Sequence, residues 1–201
     1  KDCGLPLIVG TEIRLEDGPK LVLLATDRDG YGNLSELITT GRRRSRKGCY
    51  SLSRADLDEG LTGCLALLVP PHPGPHPCPL PQPGEGENLG QACWLAERFL
   101  GSAWIAVELL CGPDDRARLG ELRRLGEASG LPLVAAGDVH MHLRSRRRLQ
   151  DTLTAIRLGM PVDRCGHALH PNAERHLRLR LRLANLYPDE LLAETLVIAG
   201  R

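Results

Sequence analysis

Short apolar runs alternate with stretches of helical periodicity along most of the chain, and this alternation constrains the fold more than any single motif. Residues 5–15, 20–25, 63–69, 104–110 and 131–136 read as strands. Apolar side chains at helical spacing mark helices over 31–44 (Leu34, Leu37, Ile38), 89–100, 113–129, 145–158, 172–186 and 189–199. The 113–129 helix is the best marked: Pro113 suits its first turn, Asp114 and Asp115 complement its dipole, and Gly130 stops it. Its Leu119, Leu122 and Leu125 share one face, as Leu149, Leu153 and Ile156 do in the 145–158 helix, where they are expected to point inward. The strand-then-helix order predicts an α/β fold around a mostly parallel sheet, open or closed into a barrel.

With 201 residues and 42% hydrophobic content the chain can build one substantial core. Its 26 basic and 25 acidic residues leave a net charge of +1, so any attraction to nucleic acid has to be local. Aromatic residues make up only 3%, which leaves the core to Leu, Val, Ile and Ala and removes the stacking platforms that bind single strands. Seven cysteines (Cys3, Cys49, Cys64, Cys78, Cys93, Cys111, Cys165) are odd in number and never in C-x-x-C spacing, against a disulfide framework or a zinc knuckle. No apolar stretch is long enough to span a bilayer and the first residues lack a signal-peptide layout, so the expected location is cytoplasmic, with no membrane partner. Residues 70–88 hold eight prolines and almost nothing apolar, the composition of a flexible loop. His72, His76 and Cys78 in that loop have the look of metal ligands, but closing a disordered segment around an ion is costly.

The chemistry-bearing motif follows the strand at 131–136. The run ends in Gly137 and delivers Asp138, His140 and His142 at its exit. Catalytic groups of α/β barrels collect where parallel strands end, and an Asp with a His two residues on offers an oxygen and an imidazole nitrogen, a pairing suited to zinc or manganese. A polar turn after a core strand accounts for the same pattern, and His142 reads as a surface loop residue before it reads as a fourth ligand. Glu108, on the 104–110 strand, could face the same rim or form a surface contact.

Three basic clusters stand out: Arg42, Arg43, Arg44, Arg46 and Lys47; Arg144, Arg146, Arg147 and Arg148; and Arg175, Arg178, Arg180 and Arg182. Clustered arginines can neutralise phosphates, or can be solvated helix faces. The second cluster follows directly on the Asp138 and His140 rim, which makes it the first choice for phosphate or DNA contact.

Four segments carry a resemblance to a known family. Pro-Leu-Ile-Val-Gly-Thr-Glu-Ile-Arg-Leu at 6–15, Leu-Val-Leu-Leu-Ala-Thr-Asp-Arg-Asp-Gly-Tyr-Gly-Asn-Leu-Ser-Glu-Leu-Ile at 21–38, Gly-Leu-Pro-Leu-Val-Ala-Ala-Gly-Asp-Val-His-Met-His at 130–142 and Leu-Gln-Asp-Thr-Leu-Thr-Ala-Ile-Arg-Leu-Gly at 149–159 resemble the PHP (polymerase and histidinol phosphatase) domain of the bacterial C-family DNA polymerases, most of all its error-prone branch. The resemblance implies a distorted, TIM-like (β/α)7 barrel, here lacking its first strands. Residues 1–160 would form a partial PHP domain and 161–201 its C-terminal helices leading toward a palm domain.

The same resemblance places Glu12, Asp138 and His140 at family metal-ligand positions, and also shows departures. Metal-binding relatives carry a His at the head of the second strand here, where this chain has Lys20. Such domains begin with strands bearing His-x-His and Asp-His or Asp-Glu, and this chain starts after both. Three ligands per ion plus an open water position are the minimum for hydrolysis, so the three candidates read as vestigial and no metal is expected on this chain. Zinc or manganese belongs to a complete PHP site, and magnesium to a polymerase domain whose catalytic residues lie outside these 201 residues. The expectation is therefore a scaffold segment of an error-prone polymerase working in damage-induced mutagenesis. Its partners would be DNA through the parent enzyme, the palm and fingers, and mutagenesis accessory proteins. The competing expectations are a freestanding PHP-type phosphoesterase and a nucleic-acid-binding module.

Overall fold

In the computed structural model, Gly4 and residues 7–71 and 85–201 are described. His72, His76, Cys78 and most of the proline-rich stretch lie outside them.

Among the described residues five strands form one sheet in the order β1-β2-β3-β4-β5: Gly10–Arg14, Lys20–Ala25, Cys64–Val69, Ala103–Glu108 and Leu133–Ala136. The expected α/β class is observed, but the sheet is mixed. β1 pairs antiparallel with β2 and β2 with β3, while β3–β4 and β4–β5 are parallel. The expectation of a mostly parallel sheet is corrected for physical reasons. The turn between β1 and β2 is far too short for a crossover, which needs a dozen or more residues. The longer excursion after β2 closes at the end of the sheet where it began. There Thr26 donates both its N–H and its hydroxyl to the Gly63 carbonyl (2.9 and 3.0 Å). Gly30 packs so tightly on the same carbonyl that a Cβ would lie 1.9 Å from its oxygen, a spacing only glycine tolerates.

Among the described residues six helices complete the architecture: α1 (Arg28–Arg43), α2 (Glu85–Arg98), α3 (Asp115–Ser129), α4 (Arg147–Leu158), α5 (Arg180–Leu186) and α6 (Asp189–Ala199). α1 starts before residue 31 because Asp27 caps it, accepting the Gly30 N–H at 2.7 Å. α3 ends as its sequence predicts, at Gly130 in the left-handed region (φ +74°). Leu122 of α3 is buried, with Leu119 and Leu125 packed beside the core.

Two expectations for the second half are corrected. Helix does not begin at 172: only Arg180–Leu186 is helical. Residues 174–177 instead run beside 140–141, where the His140 and Met141 N–H groups donate to the Arg175 carbonyl (2.9 and 3.1 Å) and the Leu177 N–H to the Met141 carbonyl (3.1 Å). Backbone pairing with a neighbouring segment has displaced the helical ladder. Leu149, Leu153 and Ile156 do not point inward, being 53%, 53% and 70% exposed. α4 packs on its flanking 3₁₀ turns, Arg144–Arg146 and Val162–Arg164, instead of the sheet, and buries Thr154 and Ala155.

The main core joins Leu21 and Leu23 of β2, Ile105 and Val107 of β4, Leu34 and Leu37 of α1, and Leu95 of α2. The other sheet face carries a smaller cluster: Leu65, Leu67 and Val69 of β3, Trp104 and Ala106 of β4, Val134 of β5 and Ile198 of α6. Period-two alternation thus buries both faces of β3 and β4, which explains their unbroken apolar runs.

Candidate functional site

The sheet's register gathers the charged groups. Lys20 opens β2 opposite Val69, the last residue of β3. Glu12 lies opposite Val22, one alternation step from Lys20 on the same face. Glu108 ends β4 two residues after Ala106, and Asp138 follows two residues after Ala136, which closes β5. Glu12, Lys20, Glu108 and Asp138 are therefore delivered to the C-terminal edge of the parallel strands, on the face of the smaller core cluster. This is the edge where ligands bind in α/β sheets.

Each candidate ligand there is engaged. Glu12 Oε2 is 2.9 Å from Lys20 Nζ. Asp138 holds His140 through one oxygen (Nε2 at 3.2 Å) and Arg175 through the other. Arg175 Nη1 also lies 3.8 Å from Glu108 Oε2. Asp138 adopts φ +41°, a left-handed conformation that Asp tolerates better than most residues and that turns its carboxylate at the strand exit. His140 also stacks on His170, the ring centroids 4.9 Å apart at 51°. Burial holds the pKa of both imidazoles below the ordinary range; Lys20 adds to the effect at His140 and His140 itself at His170. Both rings are thereby favoured neutral.

The donor set does not suit zinc or manganese. Among the described residues no three His, Cys, Asp or Glu side chains converge as a metal-ligand group. His140 Nε2 faces Asp138, and both Asp138 oxygens have partners. His142 is exposed one step beyond.

Arg175 stands out in the sequence only as one of the third basic cluster, Glu174 and His170 do not stand out there at all, and Glu174 organises the neighbouring surface. This buried carboxylate accepts from Arg144 and from Arg182 (3.1 Å), and Arg178 Nε lies 3.8 Å away. Burial raises its pKa, but hydrogen bonding to Arg182 and the charge of Arg144 outweigh it and hold the carboxyl below the usual glutamate range. The signal was legible in principle: Glu174 is the lone acid in the 172–182 stretch, whose arginines need a counter-charge.

The structure divides the arginine clusters. In the second, Arg144 is committed to Glu174, and Arg147 pairs with Asp151 (3.5 Å) and donates to the His170 carbonyl (2.8 Å). Arg146 and Arg148 are exposed, and neither has a side-chain partner among the described residues. In the first cluster Arg44 is held by Asp56, and Arg42, Arg43, Arg46 and Lys47 are exposed. In the third, only Arg180 is without a carboxylate partner among the described residues.

Comparison with known proteins gives a consistent result. The chain is 54% identical over 206 residues to the error-prone DNA polymerase of Dechloromonas aromatica (strain RCB), a match covering 100% of this chain and 19% of that protein. It is 56% identical over 191 residues to the error-prone DNA polymerase of Azoarcus sp. (strain BH72), covering 92% of this chain and 17% of the relative. Its homologues are error-prone DNA polymerases. The corresponding protein of Pseudomonas aeruginosa PAO1 is 53% identical over 195 residues, covering 97% of this chain and 18% of that polymerase. The chain thus spans under 20% of the length of these error-prone polymerases. No family model matches it. Among the described residues no helix is long and apolar enough to cross a membrane.

Proposed function

We propose that the chain is the PHP-type segment of an error-prone DNA polymerase and that it acts there as a scaffold in DNA-templated synthesis during damage-induced mutagenesis and translesion repair. The observation that carries this reading is identity of 50% or more along nearly the whole chain to error-prone polymerases from several bacteria. A distorted PHP barrel is the architecture we assign. Its support is the parallel unit β3–β4–β5 with Glu108 and Asp138 at the strand ends. The scaffold role is supported by the ion pairs Glu12–Lys20 and Asp138–Arg175, which set cations against two carboxylates of the strand exit. The exposed apolar face of α4, with Leu149, Leu153 and Ile156, is the kind of surface that meets another domain. In this reading the palm and fingers are the neighbours, DNA is reached through the whole polymerase, accessory proteins of mutagenesis are further partners, magnesium serves the polymerase site, and the enzyme works in the cytoplasm.

A direct nucleic-acid contact is a second reading, favoured by Arg146 and Arg148, which follow the strand exit in sequence and are exposed without a side-chain partner among the described residues. A freestanding phosphoesterase is disfavoured by Lys20 and Arg175, which place cations against the carboxylates such an enzyme would use for metal.

Expression from the natural reading frame tests the reading. A product several times longer than 201 residues that extends a primer past an abasic site with Mg2+ and deoxynucleotides is expected. A frame closing on both sides of this sequence, with no primer extension, would contradict it.

A further inference from the structure

Three carboxylates line the strand exit, and two cations from within the chain, Lys20 and Arg175, offset part of their charge. Glu12, Glu108 and Asp138 share one edge of one sheet face, an arrangement that requires protonation or nearby cations. Lys20 meets Glu12 at 2.9 Å, and Arg175 contacts Asp138 and lies 3.8 Å from Glu108. Arg175 is not a surface cation that swings in from solvent. Its side chain is 14% exposed, and its own carbonyl is fixed by the N–H groups of His140 and Met141.

A guanidinium keeps its proton at any physiological pH, so a divalent ion entering here would meet an undiminished positive charge. It would also have to break the Asp138–Arg175 contact to reach the carboxylate. We propose that Lys20 and Arg175 take the place of divalent cations at this strand exit, so that Glu12, Glu108 and Asp138 form a metal-excluding ion-pair lock fastening residues 174–177 to the end of β5. The inference deepens the scaffold reading and rests on it for the comparison with a metal-bearing site. Primer extension and metal exclusion are separate readouts, so either can fail alone.

The fastening has a geometric rationale. Residues 174–177 have no helix of their own at this point and are held by three backbone hydrogen bonds to 140–141, the Arg175 pairs and the Glu174 hub. Removing the guanidinium takes the shared cation from Asp138 and Glu108, whose side chains are mostly withdrawn from solvent, and a desolvated charge left unpaired is destabilising.

The test uses zinc chloride and manganese chloride on the full chain. Wild type is expected to retain below about a tenth of an equivalent of either metal after dialysis, and to melt at the same temperature with and without EDTA. Arg175→Gln should lower the melting temperature by about 6 °C or more. Combining it with Lys20→His, which restores an imidazole and removes both cations, should produce a protein that binds manganese or zinc and is raised in melting temperature by it. Stoichiometric metal on wild type, or a wild-type melting temperature lowered by EDTA, would overturn the proposal, as would Arg175→Gln melting like wild type. If Arg175→Gln does not fold, the charge-retaining Arg175→Lys decides: the lock predicts continued metal exclusion, and stoichiometric binding by that variant would overturn it.

Discussion

The Tyr187 hydroxyl donates to the Ala136 carbonyl at 2.6 Å, at the last residue of β5, and accepts the Leu109 N–H at 3.1 Å just beyond β4. One buried phenol therefore ties together the ends of two parallel strands, two residues before Asp138 and one after Glu108. Burial raises the pKa of this tyrosine, which keeps it protonated and able to donate. Tyr187→Phe leaves the Leu109 N–H without a partner inside the protein and should cost about 1–3 kcal/mol in urea unfolding, with faster amide exchange at Leu109. Stability within about 0.5 kcal/mol of wild type would show that the clamp is dispensable.

Glu174 carries an acid-sensitive share of the stability. Its folded-state pKa lies below its ordinary value, as does that of Asp56, where burial is outweighed by the Ser53 N–H and by Arg44. For a depressed carboxyl, the stabilisation is fully present above the unfolded-state pKa and is lost as pH falls through the folded-state value. The unfolding free energy should accordingly hold above about pH 5 and decline below about pH 4. Glu174→Gln should flatten part of that decline and, by leaving three arginines short of a counter-charge, cost about 3 kcal/mol at neutral pH. An unchanged acid limb in the variant would assign the decline to other groups.

Much of the first half was legible because its signals are local. The alternation of apolar runs placed all five strands, and α3 is framed by its own Pro113, Asp115 and Gly130. The antiparallel pairing of β2 with β3 was not legible, because it depends on where Gly30 meets Gly63, a contact 33 positions apart that leaves only a pair of glycines in the sequence. The helical pattern over 172–179 gave way to backbone pairing with 140–141, a tertiary preference that periodicity cannot register. Leu149, Leu153 and Ile156 do form one helix face, yet the pattern alone could not tell a face turned to this chain's core from one turned outward. At the strand exit, Glu12, Asp138 and His140 were visible as polar groups in suggestive company, and Lys20 as a misplaced cation. Arg175 was hidden among arginines, since only the fold brings it to Asp138.

The division of the second arginine cluster makes a separable prediction. Arg146→Ala with Arg148→Ala should weaken binding to a short DNA duplex across sequences and reduce the slope of log affinity against log salt by about 2. Arg147→Ala should instead lower stability, because that side chain pairs with Asp151 and holds the His170 carbonyl. A salt slope unchanged in the double variant would remove these two residues from any DNA contact.

The ion pairs that brace the Asp138–His140 strand exit set cations against its carboxylates, and hydrolysis of phosphate esters is not expected there. The most direct measurement is phosphate release from p-nitrophenyl phosphate, together with 3′–5′ nucleotide release from a single-stranded DNA, by the full chain with added Mn2+ or Zn2+. No turnover above the metal-containing buffer is expected with either substrate. Metal-dependent turnover that disappears in both Asp138→Ala and His140→Ala, with each variant shown to be folded, would contradict that expectation.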